Sequence, residues 1–306
     1  MSDRLIRIGR WVLGILILAF VVRSFARNWQ DLQGQPIDWT FRPVPALASV
    51  GVVWLMYAML IEAWRRMLAG WGEHLPPMQA ARIWVVSSLG KYIPGKVWAV
   101  AGMALMAKEA GVAAWAATAS AIILQALAVG TGAAVAAVFG TTVLEARKPE
   151  LVPLLWLAGG ASMVGVGLLL HPAVAKRLLV LAQLGVDAPS PRAGPVLLGL
   201  LANVIAWLGY GTALWLLAHA VLPAQQLTLA PAIAGFAASY VAGLLALFVP
   251  GGLFIREGLL VLMLQDSIGL GAATALAIAS RVLLTVTELG AAVPFLLLHR
   301  GPARVA

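Results

Sequence analysis

The chain has 306 residues, 62% of them hydrophobic and only 11% charged, with a mean hydropathy of +0.94. A soluble globular domain carries roughly 25% charged residues, so this composition excludes one and points to an all-α polytopic membrane protein. The net charge of +9 suits basic cytoplasmic loops and anionic headgroups rather than nucleic acid, and the absence of cysteine excludes a disulfide framework and thiolate chemistry.

At ~20 residues per crossing the chain holds about eight hydrophobic segments. No stretch reads as a separate soluble domain, so 1–306 is expected to form a single transmembrane domain. The first predicted helix covers 11–22 and follows Arg4, Arg7 and Arg10. Arg23 and Arg27 stand where a signal peptide would carry a small-residue cleavage site, so this helix reads as uncleaved. Helix 44–64 closes on Arg65-Arg66, with Glu62 placed one turn before Arg66 to pair with it.

The next stretch, 78–107, is interrupted by Lys91-Tyr92-Ile93-Pro94-Gly95-Lys96-Val97-Trp98. Thirty helical residues would span ~45 Å, too long for one straight crossing of a ~30 Å hydrocarbon core, while two halves of ~12–14 residues are each too short to cross. A re-entrant hairpin, entering and leaving by one side, fits these lengths; a kinked span is the alternative. Helices follow at 113–139 and 151–170, then an interfacial segment at 173–184 with Lys176-Arg177. Helix 196–220 places Asn203 and Tyr210 on one face. A second broken stretch, 228–265, carries Phe248-Val249-Pro250-Gly251-Gly252-Leu253-Phe254-Ile255-Arg256-Glu257-Gly258. The last helix, 271–298, aligns Arg281, Thr285 and Glu288 at i, i+4 and i+7.

The two broken-helix units, 78–140 and 228–298, are candidates for an inverted repeat. Ala117, Ala119, Ser120 and Leu124 match Ala277, Ala279, Ser280 and Leu284 at a constant offset of 160. Charge counting favours re-entrant hairpins with both termini cytoplasmic. That arrangement puts 12 basic residues inside and 5 outside, with 4 in the membrane, whereas two full crossings give 10 against 7.

Charge and unsatisfied backbone are each costly in lipid and are tolerated where they line a protein cavity. At each break a proline stands where a second half-helix starts, and Lys96 and Arg256 follow within its first turn. A cation at a positive helix end makes sense if an anion sits there, so Lys91, Lys96 and Arg256 are expected to share an anion near the midplane. Arg281 and Glu288 read as an intramembrane ion pair with a structural, gating or proton-coupling role. Glu257 reads as a partner for Arg256, Lys96 or Arg281. Ser87, Ser88, Ser239 and Tyr240 would bind a headgroup or join helices. Tyr92 and Trp98 read as site or interface residues, and Gln125 and Asn203 as interhelical hydrogen-bonders. His74, His171, His219 and His299 all fall near predicted helix ends, so no metal site, cofactor or enzymatic constellation is expected.

Lys91–Trp98 and Pro250–Glu257 resemble the two signature stretches of the lysylphosphatidylglycerol synthase transmembrane-region family, the flippase portion of the multiple peptide resistance factor. The resemblance spans roughly residues 10–300, and Phe254 stands where it implies a small residue such as glycine. It implies a multi-pass protein of a bacterial or archaeal cytoplasmic membrane that moves an anionic or aminoacylated phospholipid between leaflets. A polyprenyl-phosphate-linked sugar is the alternative cargo. A homodimer, a lipid-modifying synthase or a glycosyltransferase are the implied partners. A non-transporting scaffold and an intramembrane enzyme on lipid phosphate are the competing classes.

The topology is testable because the native chain lacks cysteine. A single cysteine at position 148 is expected to react with a membrane-impermeant maleimide from outside. Labelling only from the cytoplasmic side would reject the re-entrant arrangement.

Overall fold

The computed structural model describes residues 40–92, 97–145, 149–171, 177, 192–246 and 252–297. The expected helix at 11–22, nearly all of the interfacial segment 173–184, and the break residues 93–96 and 247–251 lie outside them. The placement of Pro94, Lys96 and Pro250 at the starts of second half-helices therefore falls on residues that are not described.

The described chain contains helices α1 (Pro43–Ala69), α2 (Pro77–Ser88), α3 (Val97–Glu109), α4 (Ala114–Glu145), α5 (Val152–Leu170), α6 (Ala193–Val221), α7 (Leu229–Leu245), α8 (Ile255–Ile268) and α9 (Leu270–Leu297). Short 3-10 turns cover Leu89–Tyr92 and Pro149–Leu151, and no strand occurs among the described residues. The protein is thus an all-α membrane protein. Pro43 and Pro77 open α1 and α2 at the first helical position, where a missing N–H costs nothing. Four helices, α1, α4, α6 and α9, are long and apolar enough to cross a bilayer. At 1.5 Å per residue they measure roughly 40–48 Å, against ~30 Å of hydrocarbon. The predicted segments 44–64, 113–139, 196–220 and 271–298 correspond to them closely.

The two broken stretches differ from these spans. Helices α2 and α3 have 12 and 13 residues, and α7 and α8 have 17 and 14. Each is shorter than ~30 Å. Both pairs fold back on themselves rather than kink. A Cβ on Gly90 would lie 2.6 Å from the Ala99 nitrogen, and one on Gly102 would lie 3.7 Å from Ser87 Cβ. Residues 90 and 99 would be ~13 Å apart along a continuous helix, so the chain reverses here, and the pairs 87–102 and 90–99 set an antiparallel register. The second hairpin repeats the pattern. Gly243 meets Arg256, and Gly235 meets Leu264.

Two apolar cores hold this arrangement, and α4 belongs to both. One joins α1, the α2–α3 hairpin and the first half of α4 around Trp64, Leu68, Ile83 and Leu127. The other joins α6, the α7–α8 hairpin and α9 around Trp207, Phe236, Leu264 and Leu276. Each hairpin also reaches across to the other unit's long helix, α2 packing on α9 and α7 on α4. Without water, polar groups must find partners inside the protein. Trp64 Nε1 donates to Ser120 Oγ at 2.8 Å, Trp207 Nε1 to the Ala128 carbonyl at 3.1 Å, and Trp54 Nε1 to the Thr287 carbonyl at 3.1 Å. Asn203, expected to bond between helices, instead donates to the Gly199 carbonyl of its own helix at 2.8 Å, because an i−4 carbonyl is within reach of a short side chain.

The tip of the second hairpin carries backbone strain. Gly252 has φ +67, and a Cβ there would lie 2.8 Å from Gly243 Cα. Two residues on, Phe254 has φ 64 and is 71% exposed. A left-handed backbone costs an L-residue about 1–2 kcal/mol relative to glycine. Opposite effects are therefore expected at the two positions. Gly252→Ala should lower thermal stability in detergent, and Phe254→Gly should leave it unchanged or raise it by about 1 kcal/mol. Thermal unfolding of the purified variants reads both signs.

Candidate functional site

The hairpin tips and one face of α9 surround a cavity of about 310 Å³. The first tip supplies Lys91 and Tyr92 from the 3-10 turn Leu89–Tyr92. The second supplies Arg256 from the first turn of α8. Helix α9 supplies Arg281, Thr285 and Glu288, which its 3.6-residue period places on one side.

Glu288 is the most heavily bonded group of the site. Lys91 Nζ forms a salt bridge with its Oε1. Tyr92 Oη donates to Oε2 at 2.7 Å, and Tyr57 Oη from α1 donates to Oε1 at 3.3 Å. The carboxylate is 94% buried or nearly so, with only 6% relative exposure, and a buried carboxylate is tolerated when its oxygens accept from charged and hydroxyl donors. Arg281 Nη1 donates to Glu257 Oε1 at 3.4 Å, and its guanidinium lies 5.9 Å from the Tyr92 ring centre. Arg281 thus touches both hairpin tips.

Arg256 is equally buried. Its Nη2 donates to Ser280 Oγ at 3.0 Å, and its guanidinium sits 5.0 Å from the Tyr240 ring centre and 5.4 Å from that of Phe236. Aromatic faces attract a desolvated cation by about 2 kcal/mol, which offsets the unfavourable position of a cation at a helix N-terminus. Glu257, in the same turn, has the sign that a helix N-terminus favours.

The expected site residues divide clearly. Lys91, Tyr92, Arg256, Arg281, Glu288, Ser87 and Tyr240 line the cavity. Glu257 lies behind it, bound to Arg281 as one of its expected alternatives. Ser239 does not line it: fully buried, its hydroxyl donates to the Phe236 carbonyl at 3.0 Å, a bond within its own helix. Trp98 does not line it either and is 51% exposed at the start of α3. Lys96 lies outside the described residues, and with it the expected pairing of Lys96 and Arg256 across one cavity; Lys91 and Arg256 both line the cavity. The expected Arg281–Glu288 ion pair is corrected. The spacing i, i+7 separates the two by ~10 Å along the helix, and each takes its ion-pair partner from a hairpin instead. Glu62, by contrast, pairs as expected with Arg66 at 2.6 Å and also with Arg65 at 2.6 Å.

Several lining residues carried no sequence signal. Tyr57, Trp84 and Trp207 complete an aromatic wall with Tyr210 and Tyr240. The Tyr57–Tyr210 and Trp207–Tyr240 ring pairs meet at 6.2 and 5.7 Å. Aromatic side chains in apolar helices read as core, so the available clues were the shared face of Asn203 and Tyr210 and the candidate headgroup binder Tyr240. Gln125 and Asn203 also line the cavity.

The lining follows the repeat offset. Ala121, Leu124, Gln125 and Ala128 of α4 correspond to Arg281, Leu284, Thr285 and Glu288 of α9 at an offset of 160, and all eight face the cavity. The two long helices therefore present matching faces, and the charge is confined to one of them. Among the described residues, no cluster of three or more metal-ligating side chains occurs. No protein-family model matches this chain, and no curated protein matches it in sequence.

The Lys91–Glu288 pair should show strong coupling. Removing Lys91 leaves Glu288 charged and buried, at a cost of about 3–5 kcal/mol, and removing Glu288 leaves the partly buried Lys91 without its carboxylate. The double substitution Lys91→Met with Glu288→Leu should cost clearly less than the sum of the single ones. A thermal-stability double-mutant cycle in detergent measures the difference, and additive losses would show that the pair does not interact.

Proposed function

We propose that the protein carries an anionic lipid headgroup between leaflets through this cavity. One observation carries the reading: three cations, Lys91, Arg256 and Arg281, converge from two hairpin tips and one helix on a single cavity inside an apolar protein. A cluster of this kind at membrane depth marks a substrate path, and broken helices meeting at a cavity are a recurrent transporter device. On this reading both hairpins are re-entrant, and they form an inverted repeat entering from opposite faces. The headgroup passes between their tips while the acyl tails remain in lipid.

The family resemblance of Lys91–Trp98 and Pro250–Glu257 supports a phosphodiester lipid, aminoacylated phosphatidylglycerol being the member it implies. A second reading has an observation of its own. The aromatic wall of Trp207, Tyr210 and Tyr240 suits stacking against a sugar ring, which favours a polyprenyl-phosphate-linked sugar. In both readings the protein is a transporter rather than an enzyme, sits in a bacterial or archaeal cytoplasmic membrane with both termini inside, and serves a lipid-modifying synthase or a glycosyltransferase.

Reconstitution into liposomes carrying fluorescent phosphatidylglycerol tests the proposal. The protein is expected to equilibrate the labelled lipid between leaflets. Lys91→Gln and Arg256→Gln should each slow the exchange and weaken lipid binding by roughly tenfold or more, since a charged hydrogen bond contributes about 1.5–3 kcal/mol. Exchange unchanged in the double variant would overturn the reading, and faster exchange of a sugar-phosphate lipid would favour the second cargo.

A further inference from the structure

In this structure the cations of the site already have partners. Lys91 holds Glu288, Arg281 holds Glu257, and Arg256 holds Ser280 and two aromatic rings. An anion that reaches Lys91 therefore meets the Glu288 carboxylate on the same ammonium. Two like charges sharing one buried site disfavour each other, and a carboxylate that lost its cation inside the protein would be strongly destabilised. Adding a proton to Glu288 removes both penalties. The resulting carboxylic acid still accepts from Tyr57 and Tyr92, whose hydroxyls already point at its two oxygens.

We propose that Glu288 is a proton-binding site coupled to anion uptake: one proton supplied by the buffered bulk solution adds to its carboxylate as one monoanionic headgroup takes its place on Lys91. This rests on the anion-carrier reading above. Lys91 stays an ammonium throughout, and no other bond forms or breaks. The anion and the proton cancel in charge, so loading the site is electroneutral.

The surroundings single out this residue. Glu288 is faced by Tyr57 from α1, by Lys91 and Tyr92 from the first tip, and by Arg281 from its own helix. Across the cavity stand Tyr210 of α6, Tyr240 of α7 and Arg256 of α8. Tyrosine, lysine and arginine ordinarily change charge only well above neutral pH, which leaves a carboxylate to take up the proton. The other carboxylate nearby, Glu257, does not line the cavity and is held by Arg281 rather than Lys91.

The test uses the full chain in detergent with dihexanoylphosphatidylglycerol, a phosphodiester that keeps one negative charge across the pH range studied. Wild-type affinity should weaken by about tenfold for each unit of pH rise between about pH 6 and about pH 8, the slope for one linked proton. Calorimetry in buffers of differing ionisation enthalpy should record about one proton taken up per lipid bound. Both effects should vanish in Glu288→Gln, which should bind the lipid with pH-independent affinity. Should that variant fail to fold, the wild-type proton count decides alone. Lipid binding with no proton uptake and no pH dependence would overturn the coupling while leaving the anion site standing. Uptake that survives Glu288→Gln and disappears in Glu257→Gln would overturn the assignment to Glu288. Absence of lipid binding at every pH would overturn the anion site itself and the coupling with it.

Discussion

The fold of the site depends on one buried carboxylate. Glu288 accepts from Tyr57 on α1 and from Lys91 and Tyr92 on the first hairpin tip while belonging to α9. In water such bonds would compete with solvent, but in lipid they have no substitute, and each unsatisfied polar group costs several kcal/mol. Eight residues earlier on the same helix, Ser280 accepts from Arg256, and Arg281 holds Glu257. Two and a half turns of α9 thus fasten both hairpin tips.

The hairpins themselves follow from length. A helix of 12–17 residues cannot satisfy its backbone and also reach both surfaces of a ~30 Å core. Folding back is the solution when the arms pack closely, and closeness requires glycine at the contacts. Gly90 against the Ala99 backbone and Gly252 against Gly243 bring the arms to within backbone contact at the two tips. The crossed packing, α2 on α9 and α7 on α4, then prevents either hairpin from moving independently of the other unit's long helix. Arg281 adds a contact to each tip, a hydrogen bond to Glu257 and a cation–π approach to Tyr92.

Much of this was legible in the sequence. Segment lengths and the two Pro-Gly breaks separated spanning helices from broken ones, and the spacing of Arg281, Thr285 and Glu288 placed them on one face before any coordinates were needed. Partner choice was not legible. Along a helix, Arg281 and Glu288 look like natural mates, yet their partners in the structure come from the hairpins, 24 and 197 residues away in the chain. The aromatic wall was hidden for another reason. Tyr57 and Trp207 sit in apolar runs where bulk and hydrophobicity account for them fully, and only tertiary packing brings them to the cavity wall. Ser239 and Trp98 do not line the cavity, an orientation that a period of 3.6 does not resolve once a helix is broken and its two arms rotate separately. Phe254 is the informative exception. Its departure from the expected small residue was visible in sequence, and its φ of 64 gives the physical reason a small residue suits that position.

The internal pairing of the site bears on what kind of binding it can support. Three uncompensated cations in a low-dielectric cavity would repel one another and destabilise the empty state. Glu288 and Glu257, paired with Lys91 and Arg281, offset part of that cost. They also compete with any incoming anion for the same cations, which lowers its net affinity. For a storage or sensing protein that competition would be a loss. For a carrier it is an advantage, because cargo must bind well enough to enter and weakly enough to leave. A site that exchanges one salt bridge for another changes little in energy between its empty and loaded forms, whereas a fixed unpaired cluster would trap its ligand. The placement of carboxylates directly on the cations is therefore the feature that most favours passage over retention.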